Sequence, residues 1–188
     1  WFIESCKKIS YLFPRAHAVA YVMMAFRIAW FKVYDPLAFY AAYFSIRAKA
    51  FDLRIMTGDL NTQLKEFNRI KALDRGASPK EKDLMSALEV SMEMYQRGYR
   101  FINVDIQHSG ARRFSIKDGA LLPPFLAIDS LGETVADAIV EEREAKPFTS
   151  LKDLQRRCKV SATIIETMKE LKCCGELPED EQMSLFGA

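Results

Sequence analysis

The sequence is poor in the residues that make metal and redox centres. It has four cysteines, Cys6, Cys158, Cys173 and Cys174, and two histidines, His17 and His108. No two cysteines stand in a C-x-x-C pair, so a structural zinc site is not expected and no metal ligands are assigned. The adjacent Cys173 and Cys174 are poorly placed for an ordinary disulfide, so all four read as free thiols of a reducing compartment. A G-x-x-x-x-G-K-[ST] loop is missing, and neither histidine has the neighbours of a Ser-His-Asp triad. No pair of catalytic carboxylates stands out, since Asp105, Asp118 and Asp129 fall at irregular intervals beside turns. Long uncharged runs are also lacking. The longest, residues 16–26 and 36–46, have eleven residues each. A membrane span needs about 20 apolar residues, so no transmembrane helix and no membrane partner are expected. A basic leader with a cleavage site is not seen, and the first residue is Trp1, which suggests a piece of a longer polypeptide.

What the chain does have is a divided charge. Its 188 residues carry a net charge of +2, but residues 1–124 hold 19 basic and 12 acidic side chains, whereas residues 125–188 hold 8 and 13. The first part can face phosphates by bulk charge. The second cannot, and any anion it binds must be held by local backbone geometry.

Apolar residues make up 49% of the chain, enough for a core. Their spacing predicts a mainly α protein. Ala18, Val19, Val22, Met23, Phe26, Ile28, Trp30 and Phe31 cover nearly all faces of a helix, which reads as mostly buried. Asp35-Pro36 ends it, and Pro36 suits the first turn of an aromatic helix running to about Ala48. Leu60, Leu64, Phe67, Ile70 and Leu73 predict a third helix, closed by Arg75-Gly76. Ser78-Pro79-Lys80-Glu81 is a capping box for a fourth, which runs to Gly98. Phe101, Val104, Ile106 and residues 112–122 read as extended, with a hairpin turn at Asp118-Gly119. Short helices follow over about 133–144, from Thr149 or Ser150 to about Arg157, and from Ser161 to about Lys172. Residues 175–188 read as a mobile tail.

Four segments carry candidate chemistry. Residues 127–139 place a turn, Ser130-Leu131-Gly132, ahead of Glu133 and Thr134 at a helix start. This approximates the hydrophobic-x-Gly-hydrophobic-Gly pattern of a helix-hairpin-helix, whose amides and helix dipole favour an anion such as a DNA phosphate. Ser130 replaces the first glycine. A second unit of similar length turns at Lys159, Val160 and Ser161 without a glycine. Near the start, Arg15 and His17, with Lys7 and Lys8 upstream, could converge on a triphosphate. Near the end, Gln182-Met183-Ser184-Leu185-Phe186 reads as a peptide that docks in a partner's pocket.

In order along the chain, Ser5-Cys6-Lys7-Lys8, Phe13-Pro14-Arg15-Ala16-His17-Ala18, Tyr34-Asp35-Pro36-Leu37, Leu122-Pro123-Pro124-Phe125, the two hairpins and Leu177-Pro178 with the final pentapeptide are distinctive. Together they make the whole chain resemble the C-terminal part of the PolC-type alpha subunit of bacterial DNA polymerase III. The resemblance implies distal fingers over 1–98, a small strand-bearing connector over 99–124, and a tandem helix-hairpin-helix duplex-binding module over 125–174. A flexible tail that binds the beta sliding clamp would follow over 175–188. It puts Arg15, where that family more often has Lys, and His17 near the incoming dNTP. It implies primer-template DNA, the clamp and other replisome subunits as partners, in the cytoplasm. It also implies Mg²⁺ as the cofactor of the complete enzyme, with the ligands upstream of Trp1 and no polymerase activity in this stretch alone. The alternative is a clamp-linked DNA-binding adaptor without a nucleotide role.

Overall fold

A computed structural model describes residues 1–8, 14–48 and 50–180. Among them the fold is mainly α: nine helices and one two-stranded antiparallel sheet.

Two apolar clusters organise these elements. The first gathers residues from α3 (Pro36–Ile46), α4 (Leu53–Met56), α5 (Leu60–Ala72) and α6 (Pro79–Gln96). Each start has a local cause. Asp35, Asp52, Asp59 and Ser78 each cap the following helix through the side chain. Ser78 and Glu81 form the capping box that the sequence predicts. The α5–α6 contact buries a polar pair. The Ser91 hydroxyl donates to Gln63 Oε1 at 2.6 Å, and Gln63 Nε2 donates to the Met56 carbonyl at 3.1 Å. With both ends of the amide satisfied, its burial carries little penalty.

The second cluster joins α7 (Glu133–Ala145), α8 (Leu151–Cys158) and α9 (Ala162–Glu170) to Val104, Ile106, Phe125 and Ile128. Residues 99–124 lie between the two clusters and serve both. Phe101 and Leu121 pack with the first, Val104 and Ile106 with the second. β1 (Ser115–Lys117) and β2 (Ala120–Leu122) pair with Ile116 opposite Leu121. Asp118 and Gly119 both have positive φ, 51° and 73°, the left-handed conformation that a two-residue hairpin turn needs. The predicted strand at 101–106 is reduced to a bridge between Phe101 and Leu121. Its amides go elsewhere, Ile106 N–H to the Cys173 carbonyl at 3.0 Å.

Three expectations are corrected. The helix predicted as buried, α2 (Arg15–Tyr34), is one continuous helix with no buried residue. Its all-round apolarity marks a helix that wants to be surrounded, but the two clusters close without it. Among the described residues, its last turn is tied down by Lys32 Nζ to Glu93 at 2.9 Å and by Arg97 to the Lys32 carbonyl at 2.8 Å. The 20 residues of α2 are also long and apolar enough to cross a membrane by length and composition. Counting only uncharged runs hid this, because Arg27 and Lys32 interrupt the run without offsetting the mean hydropathy. Finally, residues 175–180 are held, not free. Leu151 and Lys152 N–H donate to the Pro178 and Glu179 carbonyls at 2.8 and 3.2 Å, and Glu179 pairs with Lys169 at 2.8 Å. Two short helices, α1 (Phe2–Lys8) and α4, were not anticipated.

Candidate nucleic-acid interface

The two turns of the second cluster share one backbone pattern. In each, a left-handed residue is followed by a buried apolar residue and then by the helix cap. In the first turn Ser130 has φ 65°, Leu131 is buried and Gly132 caps α7. In the second Lys159 has φ 55°, Val160 is buried and Ser161 caps α9. The buried residue anchors the turn in the cluster. The left-handed residue before it reverses the chain so that the next helix begins at the surface.

The two helix starts differ in what they leave open. Ser161 Oγ accepts the Ile164 amide at 3.3 Å and so consumes one donor. Gly132 has no side chain to do this. Its carbonyl accepts Val135 and Ala136 N–H at 3.1 and 3.0 Å. Among the described residues, the amides of Gly132, Glu133 and Thr134 meet no protein acceptor, and all three residues are exposed. A Cβ built on Gly132 would touch nothing within 4 Å, and its φ of −76° suits any residue. Neither strain nor crowding within the chain requires glycine here. What glycine provides is an open approach to the amides from outside, as a phosphate needs. By contrast the start of α8 is closed, since Pro178 and Glu179 fill its first two amides.

The electrostatics beside the first turn were not legible in the sequence. Arg112 NH1 lies 2.6 Å from Glu133 Oε2, and its Nε lies 3.0 Å from Asp137 Oδ1, with a second short bond from NH2 to Asp137 Oδ2. The hydrogen bonds from Arg112 hold the Asp137 carboxyl below its usual range. Glu133 and Asp137 are four apart on one helix, so their carboxylates share a face. That spacing is the signal that a cation should sit opposite. Which cation cannot be read from a separation of 21 residues. In the second unit, Arg157 bonds Glu142 at 2.9 Å and Asp153 at 3.2 Å, tying α8 to α7. Burial pushes the Cys158 thiol up to about 11, which makes it a packing group and not a nucleophile. Among the described residues, no cluster of three His, Cys, Asp or Glu could hold a metal ion.

The sequence-level site residues fall in different places. Ser130, Leu131, Gly132, Glu133 and Thr134 form the first turn and helix start, and Lys159, Val160 and Ser161 the second. Arg15 and His17 lie in the exposed first turn of α2, where the His17 ring stands edge-on to Tyr21 at 4.5 Å. Lys7 pairs with Glu4 at 3.1 Å in α1, and Lys8 ends that helix. Phe13 and the five tail residues, Gln182, Met183, Ser184, Leu185 and Phe186, lie outside the described residues.

A family model described as "Helix-hairpin-helix motif" matches residues 98–183, which contain both turns. A protein of Caldanaerobacter subterraneus subsp. tengcongensis, "DNA polymerase III PolC-type", is 50% identical over 186 residues, 99% of this chain and 13% of that protein. The chain is homologous to a segment of PolC-type DNA polymerase III. The same description belongs to a Streptococcus pyogenes serotype M12 protein, 47% identical over 188 residues, again 99% of this chain and 13% of the relative. The chain therefore spans about an eighth of the length of these curated PolC-type relatives. Within that segment, the left-handed and capping positions of the paired turns fall inside the helix-hairpin-helix match, whereas α2 lies outside it.

Proposed function

We propose that this chain is the duplex-gripping and clamp-tethering part of a replicative DNA-directed DNA polymerase. Its two hairpins hold the backbone of primer-template DNA through amides, without reading sequence. The single observation that carries this reading is the pair of equivalent turns, one of them opening onto unpartnered amides at Gly132, Glu133 and Thr134. Amide contacts suit a region with an acidic net charge, because they recognise phosphate without needing a field of lysines. The helix-hairpin-helix match and the PolC-type relatives agree with it. In the same reading Arg15 and His17, with Lys7 and Lys8, contact the triphosphate of an incoming dNTP. Gln182, Met183, Ser184, Leu185 and Phe186 dock on the sliding clamp, beside other replisome subunits in the cytoplasm. Mg²⁺ bound elsewhere in the complete enzyme supplies Lewis-acid chemistry, and the segment alone does not polymerise DNA.

The test is duplex binding by the 188-residue chain, followed by fluorescence anisotropy across a salt series. Affinity should be independent of sequence and fall with salt at a log–log slope of about −0.9 per phosphate neutralised, with only a few phosphates involved. Gly132→Val, which fits the free chain, should abolish most of the binding. Unchanged affinity would refute the hairpin contact. The nucleotide role is tested in the complete polymerase, where Arg15→Ala should raise the KM for nucleotide with DNA affinity unchanged.

A further inference from the structure

The first hairpin carries an acid where an anion is meant to bind. Glu133 is the first residue of α7, directly beside the open amides. Left alone, its carboxylate would both repel a phosphate and compete with it for those amides, since acids in a first helical turn seek exactly such donors. In this structure α7 has no side-chain cap, and the carboxylate is turned to Arg112 at 2.6 Å. The guanidinium is itself fixed by two bonds to Asp137, one turn further along the helix. The chain just before Arg112 is also fixed. The carbonyls of Gly110 and Ala111 accept the Phe125 and Leu126 amides at 2.9 and 3.0 Å. The strand-bearing connector is thereby tied to the turn that leads into the hairpin.

We propose that Arg112 is a positioning residue of the first hairpin: it holds the Glu133 carboxylate away from the Gly132, Glu133 and Thr134 amides and offsets its charge, so that a phosphate can enter. This rests on the reading of the hairpin as a phosphate-binding turn. It differs from two simpler roles for Arg112, a direct phosphate contact and a strut that only joins connector to helix. In both of those, removing the Glu133 charge would change affinity by the same factor with the arginine present or absent.

The experiment is a double-mutant cycle in the 188-residue chain, with labelled duplex DNA of unrelated sequences and circular dichroism as the check on folding. Arg112→Ala should weaken binding by about three- to tenfold, the scale of one unscreened charge near a partly exposed site. Glu133→Gln alone should change affinity less than it does beside Arg112→Ala, because Arg112 already offsets that charge. Glu133→Gln added to Arg112→Ala should bring affinity back to within about twofold of the parent. Lack of rescue, an equal effect of Glu133→Gln with and without the arginine, or a loss of affinity in Glu133→Gln alone would overturn the proposal. The single Glu133→Gln variant keeps it testable if Arg112→Ala does not fold. Gly132→Val separates the two levels of inference. If it abolishes binding while Arg112→Ala does not weaken it, the positioning role fails and the hairpin reading stands. If it leaves binding intact, the hairpin reading itself fails.

Discussion

Ser130 offers the sharpest test of the turn geometry. It sits at φ 65°, is exposed, and among the described residues its hydroxyl has no hydrogen-bond partner. A non-glycine residue in the left-handed region costs about 1–2 kcal/mol, because Cβ crowds the following carbonyl. Glycine removes that strain but has more backbone freedom to lose on folding, about 0.5–1 kcal/mol. Ser130→Gly should therefore stabilise the chain by about 0.5–1 kcal/mol. For a chain of this length each kcal/mol moves the melting temperature by about 2–4 °C, so the expected rise is about 1–4 °C. The assay is thermal unfolding beside urea titration, with the midpoint rising at unchanged slope. Ser130→Ala is the control: it keeps the Cβ and should give no gain. Duplex affinity should hold or improve, since the substitution clears space beside the open amides. A less stable Ser130→Gly, or a Ser130→Ala that is equally stabilising, would show that the turn is not strained at this residue.

Other outcomes follow from the same structure. Removing residues 1–34 should leave both clusters folded and suppress self-association seen by light scattering, because α2 exposes Phe26 (72%) and Trp30 (53%) yet buries nothing; loss of cooperative unfolding on truncation would refute this. Burial opposes ionisation of Asp153, but the Thr149 amide and the Arg156 and Arg157 guanidinium groups outweigh it and hold the carboxyl below its usual range. Its folded pKa is thus below the unfolded value of about 3.9, so its contribution is complete above that pH and fades as pH falls further. Asp153→Asn should cost about 1–3 kcal/mol at neutral pH in urea titrations, with the two proteins converging in strong acid; a pH-independent gap would contradict it. Replacing Leu185 and Phe186 together with Ala should remove roughly 3–6 kcal/mol of apolar burial at a clamp and abolish capture on a clamp-coated sensor surface; equal binding would leave the tail without this role.

The sequence by itself determined the local elements. Ser78 and Glu81 announced α6, Asp118-Gly119 announced the hairpin, and Ser150 and Ser161 announced α8 and α9, because caps and turns depend on a few neighbouring residues. The two turns were legible for the same reason, although only one of them carries a glycine. Tertiary structure alone decided what those elements meet. The apolarity of α2 is a property of its own residues, but burial needs an opposing surface, and the described part of the chain spends its apolar faces elsewhere. The hold on residues 175–180 comes from Lys169 and from the α8 amides, the latter well separated in sequence from the tail they fix. Arg112 could not be assigned to Glu133 and Asp137 until the connector was folded against α7. Capping is written in short range. The charge at the mouth of the first hairpin is set by a contact across 21 residues, and only the packed chain brings it about.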